Sequence, residues 1–237
     1  ILYFGDTARV PYGGKSRPVI ERYSIEISGY LLAEGAKAIV VACNTASALA
    51  LDRLRSLFRA PVLGVVEPGA AAAAQLTRNK QIGVWATRAT ILSNAYERAI
   101  RNNLPDASIV SVPCPLLVPL IEEGLLDDPI THLALQRYLQ PVLHCKADTL
   151  VLGCTHYPLL RHSIQQLAPH LQLIDSAENC ALALSQLLDK NRLRNPLKSR
   201  NGRIRAIFTD IPGEFLQKAS QLLDLHIPTP EIRSLPA

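Results

Sequence analysis

Two cysteines, Cys43 and Cys154, stand at matching places in this 237-residue chain. The stretch AKAIVVAC (36–43) aligns with ADTLVLGC (147–154). Each is an apolar, β-branched run that ends in a small residue and then cysteine. Asn44-Thr45 follows the first and Thr155-His156 the second. Ordinary strand composition accounts for the apolar part; the cysteine at the same strand end marks the repeat. In open α/β sheets ligands bind beyond the carboxyl ends of the strands. A helix that starts there offers free N–H groups and a positive dipole end, which favour a thiolate. A buried cysteine is otherwise a small hydrophobe, and that reading is kept for Cys114, Cys145 and Cys180.

Two thiols on opposite walls of a cleft suit one demanding reaction. The α-proton of an amino acid is hard to remove, because the neighbouring carboxylate destabilises the carbanion. A thiolate on one face of the α-carbon and a thiol on the other provide base and acid without metal or pyridoxal phosphate. The roles exchange with the hand of the substrate. Backbone N–H groups at the helix starts would hold carboxylates and developing charge. His156, two residues after Cys154, can orient or deprotonate a thiol. Glu122 and Glu123 close an apolar helix at 116–121, where a carboxylate could enter the cleft and act with His156. By itself such a helix end is more often solvated.

Other features are less specific. The loop GDTARVPYGG (5–14) exposes backbone N–H groups that suit a carboxylate or phosphate, but it is no P-loop. No GxGxxG follows a strand, so a nucleotide cofactor is not indicated. Thr87 and Thr90 place hydroxyls at a strand edge, where an N-cap is the commoner use. Two rival chemistries remain at this point. A Cys–His acyl-transfer site would use Cys154 and His156 and leave Cys43 idle. A non-enzymatic carboxylate-binding protein would use the same polar edge.

The elements that must position these residues alternate regularly. Strands are expected at 1–4, 38–42, 62–66, 82–86, 108–112, 149–153 and 204–209, and helices at 17–34, 46–58, 90–102, 116–123, 130–144, 160–168 and 177–189. That alternation predicts an α/β fold with parallel sheets covered on both faces. The repeat suggests two similar halves, 1–66 plus 179–237 and 67–178, with the site in the cleft between them. Hydrophobic residues make up 48%, and no apolar run is long enough for a membrane helix. Five widely spaced cysteines without CxxC argue against a disulfide framework or structural zinc, and fit a cytoplasmic protein. The net charge of +5 is concentrated in seven basic residues between 190 and 205. No aromatic residue interleaves them, so a solvated linker is favoured over a nucleic-acid patch.

The stretches YFGDTARVPYG (3–13), VVACNTASA (40–48), CPLLVPLIEEG (114–124) and LVLGCTHYPLL (150–160) closely resemble the glutamate racemases of the aspartate/glutamate racemase superfamily. IGVWAT (82–87), followed by Thr90, Ser93 and Tyr96, extends the resemblance. It implies two flavodoxin-like domains, no cofactor, glutamate as substrate and a homodimer supplying D-glutamate for peptidoglycan. It makes Cys43 the base toward D-glutamate and Cys154 the base toward L-glutamate, with His156 and Glu122 assisting Cys154. It assigns substrate binding to Tyr12, Gly13, Asn44, Thr45, Thr155 and His156, and draws Thr87 and Thr90 to the same site. It further implies a strand and an Asp-Ser loop ahead of Ile1, outside this sequence. Ala89 departs from the pattern, which has glycine there. An aspartate racemase or another superfamily isomerase is the alternative.

Overall fold

A computed structural model describes residues 1–196, 202–211 and 229–234. The chain opens with β1 (Leu2–Gly5), α1 (Arg17–Ala33), β2 (Ile39–Val41), α2 (Asn44–Leu57), β3 (Val62–Gly64) and α3 (Val66–Leu76). It continues through β4 (Gln81–Ala86), α4 (Arg88–Leu92), α5 (Ala95–Asn103), β5 (Ser108–Pro113), α6 (Leu117–Glu122), α7 (Pro129–His144) and β6 (Thr149–Gly153). A 3-10 turn, Tyr157–Leu160, precedes α8 (Arg161–Leu167), β7 (Gln172–Asp175), α9 (Ser176–Lys190), β8 (Arg205–Phe208) and β9 (Glu231–Ile232). The strands form a four-stranded sheet of order β5-β4-β6-β7, a pair β2-β3 and a three-stranded sheet β1-β8-β9. Every pairing is parallel. The chain is thus an α/β protein with parallel sheets.

The continuous apolar runs have the cause expected for them. All five residues of β6 are buried. Leu150 and Leu152 face a core shared with α6, α7 and α8, while Val151 faces the opposite core with α3 and α5. Side chains alternate across a strand, so a sheet clothed by helices on both faces needs apolar residues at every position. A separate core joins α1, α2, β2 and β3 through Ile20, Leu54 and Val62.

Four local expectations change. The run 62–66 is strand only to Gly64, and Val66 begins α3, whose alanines at 70–74 outweigh its β-branched start. The expected helix 90–102 is two helices, because Asn94 adopts φ 54° between them. β7 has only two apolar residues, Leu173 and Ile174, between Gln172 and Asp175, so no apolar run marks it. Cys154 is followed by a 3-10 turn containing Pro158 rather than directly by an α-helix. Of the basic segment, Lys198 and Arg200 lie outside the described residues. Arg194 pairs with Asp189, and Arg205 pairs with both Glu34 and Glu231. Among the described residues no helix is long and apolar enough to cross a membrane.

Gly153 shows how tightly the fold holds the strand end before Cys154. A Cβ there would lie 2.7 Å from the Trp85 carbonyl oxygen and 2.9 Å from Cε2 of Tyr96. Backbone cannot swing aside as a flexible side chain can. Gly153→Ala is expected to cost about 1–3 kcal/mol, typical of overpacking. A thermal midpoint lowered by roughly 2–12 °C would report it.

Candidate active site

The two thiols sit where the strands end. Cys43 is the N-cap of α2, with extended backbone at φ −78° and ψ 125°. Its side chain makes no capping hydrogen bond, but the N–H groups of Thr45 and Ala46 and the Thr45 hydroxyl lie near enough to favour a thiolate there. Cys154 follows β6, and the Thr155 and His156 N–H groups point at its sulfur. Each thiol therefore has the donors expected at a strand end. Charge on Cys43 opposes charge on Cys154, so the two sulfurs lie within electrostatic reach.

Burial outweighs those donors. It pushes the Cys43 thiol up, and it pushes Cys154 up to about 12. The helix start and its N–H groups favour the thiolate at Cys43, but desolvation of the charged form is the larger effect. The consequence for stability has a definite sign. A thiol raised in the folded state contributes stability that is fully present below its unfolded value and lost as pH rises through its folded value. For Cys154 that window runs from about 9 to about 12. Cys154→Ala is therefore expected to flatten the fall in thermal midpoint above pH 9, measured beside the unsubstituted protein.

A chain of polar contacts leads away from Cys154. Its sulfur lies 3.7 Å from Nδ1 of His156, whose Nε2 lies 3.1 Å from Oε1 of Glu122. Glu122 is the last residue of α6, and Gly124 turns the chain away at φ +79°. Glu122 and His156 side chains are 59% and 30% exposed, so this arm opens to solvent. Thr155 is exposed beside them. Cys114 instead belongs to the core: it is fully buried, and its carbonyl accepts from the Tyr157 hydroxyl at 3.0 Å.

The opposite wall is built around the loop after β1. Tyr12 donates its hydroxyl hydrogen to Asp6. Asp6 also accepts from Arg9 Nε at 2.9 Å and from the Thr209 hydroxyl at 3.0 Å. Arg9 in turn bonds Glu26 and stacks over Tyr23 at 4.0 Å. Tyr12 is close enough to Cys43 for their charges to oppose. Gly13 lies against Thr87, where a Cβ would come within 2.9 Å, and its carbonyl accepts from the Ala89 N–H. The loop thus rests on the β4–α4 corner.

Hydroxyls and one amide join the two walls. Thr45 and Thr87 approach to 2.9 Å, Thr87 and Thr90 to 3.0 Å, and Thr90 and Thr45 to 3.3 Å. Thr87 is the N-cap of α4, and the same hydroxyl reaches Thr45. Asn44, at the start of α2, meets Tyr96 from α5 and Ser176 from α9. The structure therefore brings together Cys154, His156 and Glu122, and separately Thr45, Thr87 and Thr90, with Tyr12 beside Cys43. Asp6, Arg9, Tyr96 and Ser176 were not singled out for roles. Asp6 and Arg9 lie in a loop read for its glycines, and nothing local in the sequence marks Ser176.

The pattern of the Asp/Glu/hydantoin racemase family matches residues 6–184, and the chain belongs to that family. Within it, the chain is similar to glutamate racemases. That of Geobacter metallireducens is 44% identical over 223 residues, 94% of this chain and 82% of the relative. That of Syntrophus aciditrophicus is 48% identical over 229 residues, 96% of this chain and 84% of the relative. Among solved structures, the Francisella tularensis glutamate racemase in complex with D-glutamate superposes with a TM-score of 0.91 at 38% identity. That match covers 99% of this chain and 88% of the other.

Proposed function

We propose that this chain interconverts L- and D-glutamate by passing the α-proton between Cys43 and Cys154, without a cofactor. The observation that carries the reading is the pair of strand-end thiols, each with backbone N–H groups beside it, with Cys154 within electrostatic reach of Cys43. The family and its glutamate racemase relatives support the substrate.

The step balances simply. With D-glutamate bound, the Cys43 thiolate takes the α-proton as the C–H bond breaks. The Cys154 thiol delivers its proton to the opposite face, leaving Cys154 as thiolate. L-glutamate runs the sequence in reverse. Burial favours the protonated form of both sulfurs before substrate binds. The α-ammonium group of entering glutamate supplies a nearby positive charge, which favours loss of one thiol proton to water and leaves the thiolate that begins the step. His156, oriented by Glu122, exchanges the proton of Cys154. Tyr12, Gly13, Asn44, Thr45, Thr87, Thr90, Thr155 and His156 receive the substrate, whose two carboxylates need hydroxyl, amide and N–H donors.

Each thiol comes from one half of the molecule, which we assign as 1–66 plus 179–237 and 67–178. The product serves peptidoglycan synthesis in the cytoplasm, and the enzyme acts as a homodimer. Optical rotation of L-glutamate and L-aspartate, followed in separate incubations, tests the substrate. Rotation is expected to decay with glutamate. Decay with aspartate and none with glutamate would overturn it.

A further inference from the structure

Asn44, adjacent to Cys43, is only 2% exposed, and its amide meets two equally buried partners from other helices. The Tyr96 hydroxyl lies 2.6 Å from Oδ1, and Ser176 Oγ lies 3.4 Å from Nδ2. The shorter separation is normal for O–H···O and short for N–H···O, so the oxygen of the amide faces Tyr96. Ser176 also lies beside the Tyr96 phenol, where its hydroxyl would ease a negative charge on the phenol oxygen. Tyr96 keeps its own hydrogen for Asn44. Burial pushes the Tyr96 phenol up, so it stays a donor. The Tyr96 hydroxyl therefore donates to Asn44 Oδ1, and Asn44 Nδ2 faces Ser176 Oγ. Gly69 closes the space behind: a Cβ there would stand 3.3 Å from Cβ of Ser176 and 3.6 Å from the Tyr96 oxygen.

An asparagine amide can face either way unless its surroundings decide. With Oδ1 taken by Tyr96, the amide is held with its NH₂ group turned away from the phenol. Its other neighbour, Ser176, lies at the long end of hydrogen-bond distance, so the NH₂ donors are only weakly engaged. Glutamate is a dianion apart from its ammonium group, and it is received by donors.

We infer that Tyr96 is a positioning residue, which fixes the Asn44 amide so that its NH₂ group is available to a substrate carboxylate. This rests on the reading that Asn44 binds glutamate. Without the phenol hydroxyl, Asn44 can turn its oxygen toward the substrate and repel it. The effect belongs in substrate binding, not in proton transfer between the thiols.

The test is a double-substitution cycle with kcat and KM measured for both enantiomers. Asn44→Ala is expected to raise KM, and Tyr96→Phe to raise KM about tenfold with kcat within about twofold. In the Asn44→Ala background, Tyr96→Phe is expected to change KM no further. Ser176→Ala, which leaves the phenol in place, is expected to give a smaller rise in KM. Circular dichroism and a thermal midpoint establish that each variant is folded. An unchanged KM in Asn44→Ala would overturn the binding reading and the inference with it. A raised KM in Asn44→Ala with none in Tyr96→Phe, or with a Tyr96→Phe effect that persists in the double variant, would overturn the inference alone. A Tyr96→Phe protein too unstable to assay shifts the decision to Ser176→Ala. There an unchanged KM counts against the inference.

Discussion

Replacing either Cys43 or Cys154 by serine is expected to lower racemisation of glutamate by about 10²–10⁴-fold, the usual contribution of a positioned acid or base. Serine keeps the shape of the side chain but is far too weak an acid to supply the thiolate or the matching proton donor. The two variants should fail in different ways. Cys43→Ser retains Cys154, the base proposed for L-glutamate. It is expected to exchange the α-hydrogen of L-glutamate with deuterated water on long incubation while forming almost no D-glutamate. Cys154→Ser retains Cys43 and is expected to exchange D-glutamate instead. Proton NMR of the α-position, with chiral separation of the products, checks both. Full racemisation in either variant would remove that cysteine from the mechanism.

His156→Asn is expected to reduce turnover by roughly 10²-fold, toward the lower end of general acid–base effects, because His156 acts on Cys154 and not on carbon. The geometry behind this is the 3.7 Å approach of Nδ1 to the sulfur. Glu122→Gln should cost less, since Glu122 is 59% exposed and water can replace it. L- and D-glutamate have equal free energies in water, so kcat/KM must fall equally in both directions. The asymmetry therefore has to be read elsewhere. Removing His156 slows the step in which Cys154 breaks the C–H bond of L-glutamate. The primary isotope effect with α-deuterated L-glutamate is expected to rise more than that with α-deuterated D-glutamate. An equal rise for both hands would place His156 in general substrate binding rather than beside one thiol.

Much of this site was legible in residue order, for physical reasons. A parallel strand covered on both faces must be apolar throughout, so β2 and β6 stand out in the sequence. A polar residue directly after such a run sits at a sheet's carboxyl edge, which exposed Cys43, Asn44, Thr45, Cys154 and His156 together. The Glu122–His156 contact required knowing that α6 returns beside the end of β6, which the resemblance implied and local pattern only suggested. The state of the thiols was not legible. Spacing shows the N–H donors at Cys43 and Cys154, but the cost of burying a charge depends on everything packed around them. The Ser176–Tyr96–Asn44 chain was equally hidden. Its members come from three helices, α9, α5 and α2, and no short motif contains more than one of them. α3 was missed because Val65 and Val66 prolong a β-branched run across the true strand end.

The two-thiol mechanism has one direct signature. L-glutamate is incubated with the enzyme in deuterated water and stopped at early conversion. The deuterium content of each enantiomer is then measured at the α-carbon. With a different sulfur serving each face, the proton removed is not the one returned. The D-glutamate formed is expected to carry deuterium while the remaining L-glutamate stays largely protiated. Equal deuterium in the two enantiomers from the start would mean a single base serving both faces, and would contradict the assignment of Cys43 and Cys154 to opposite sides of the substrate.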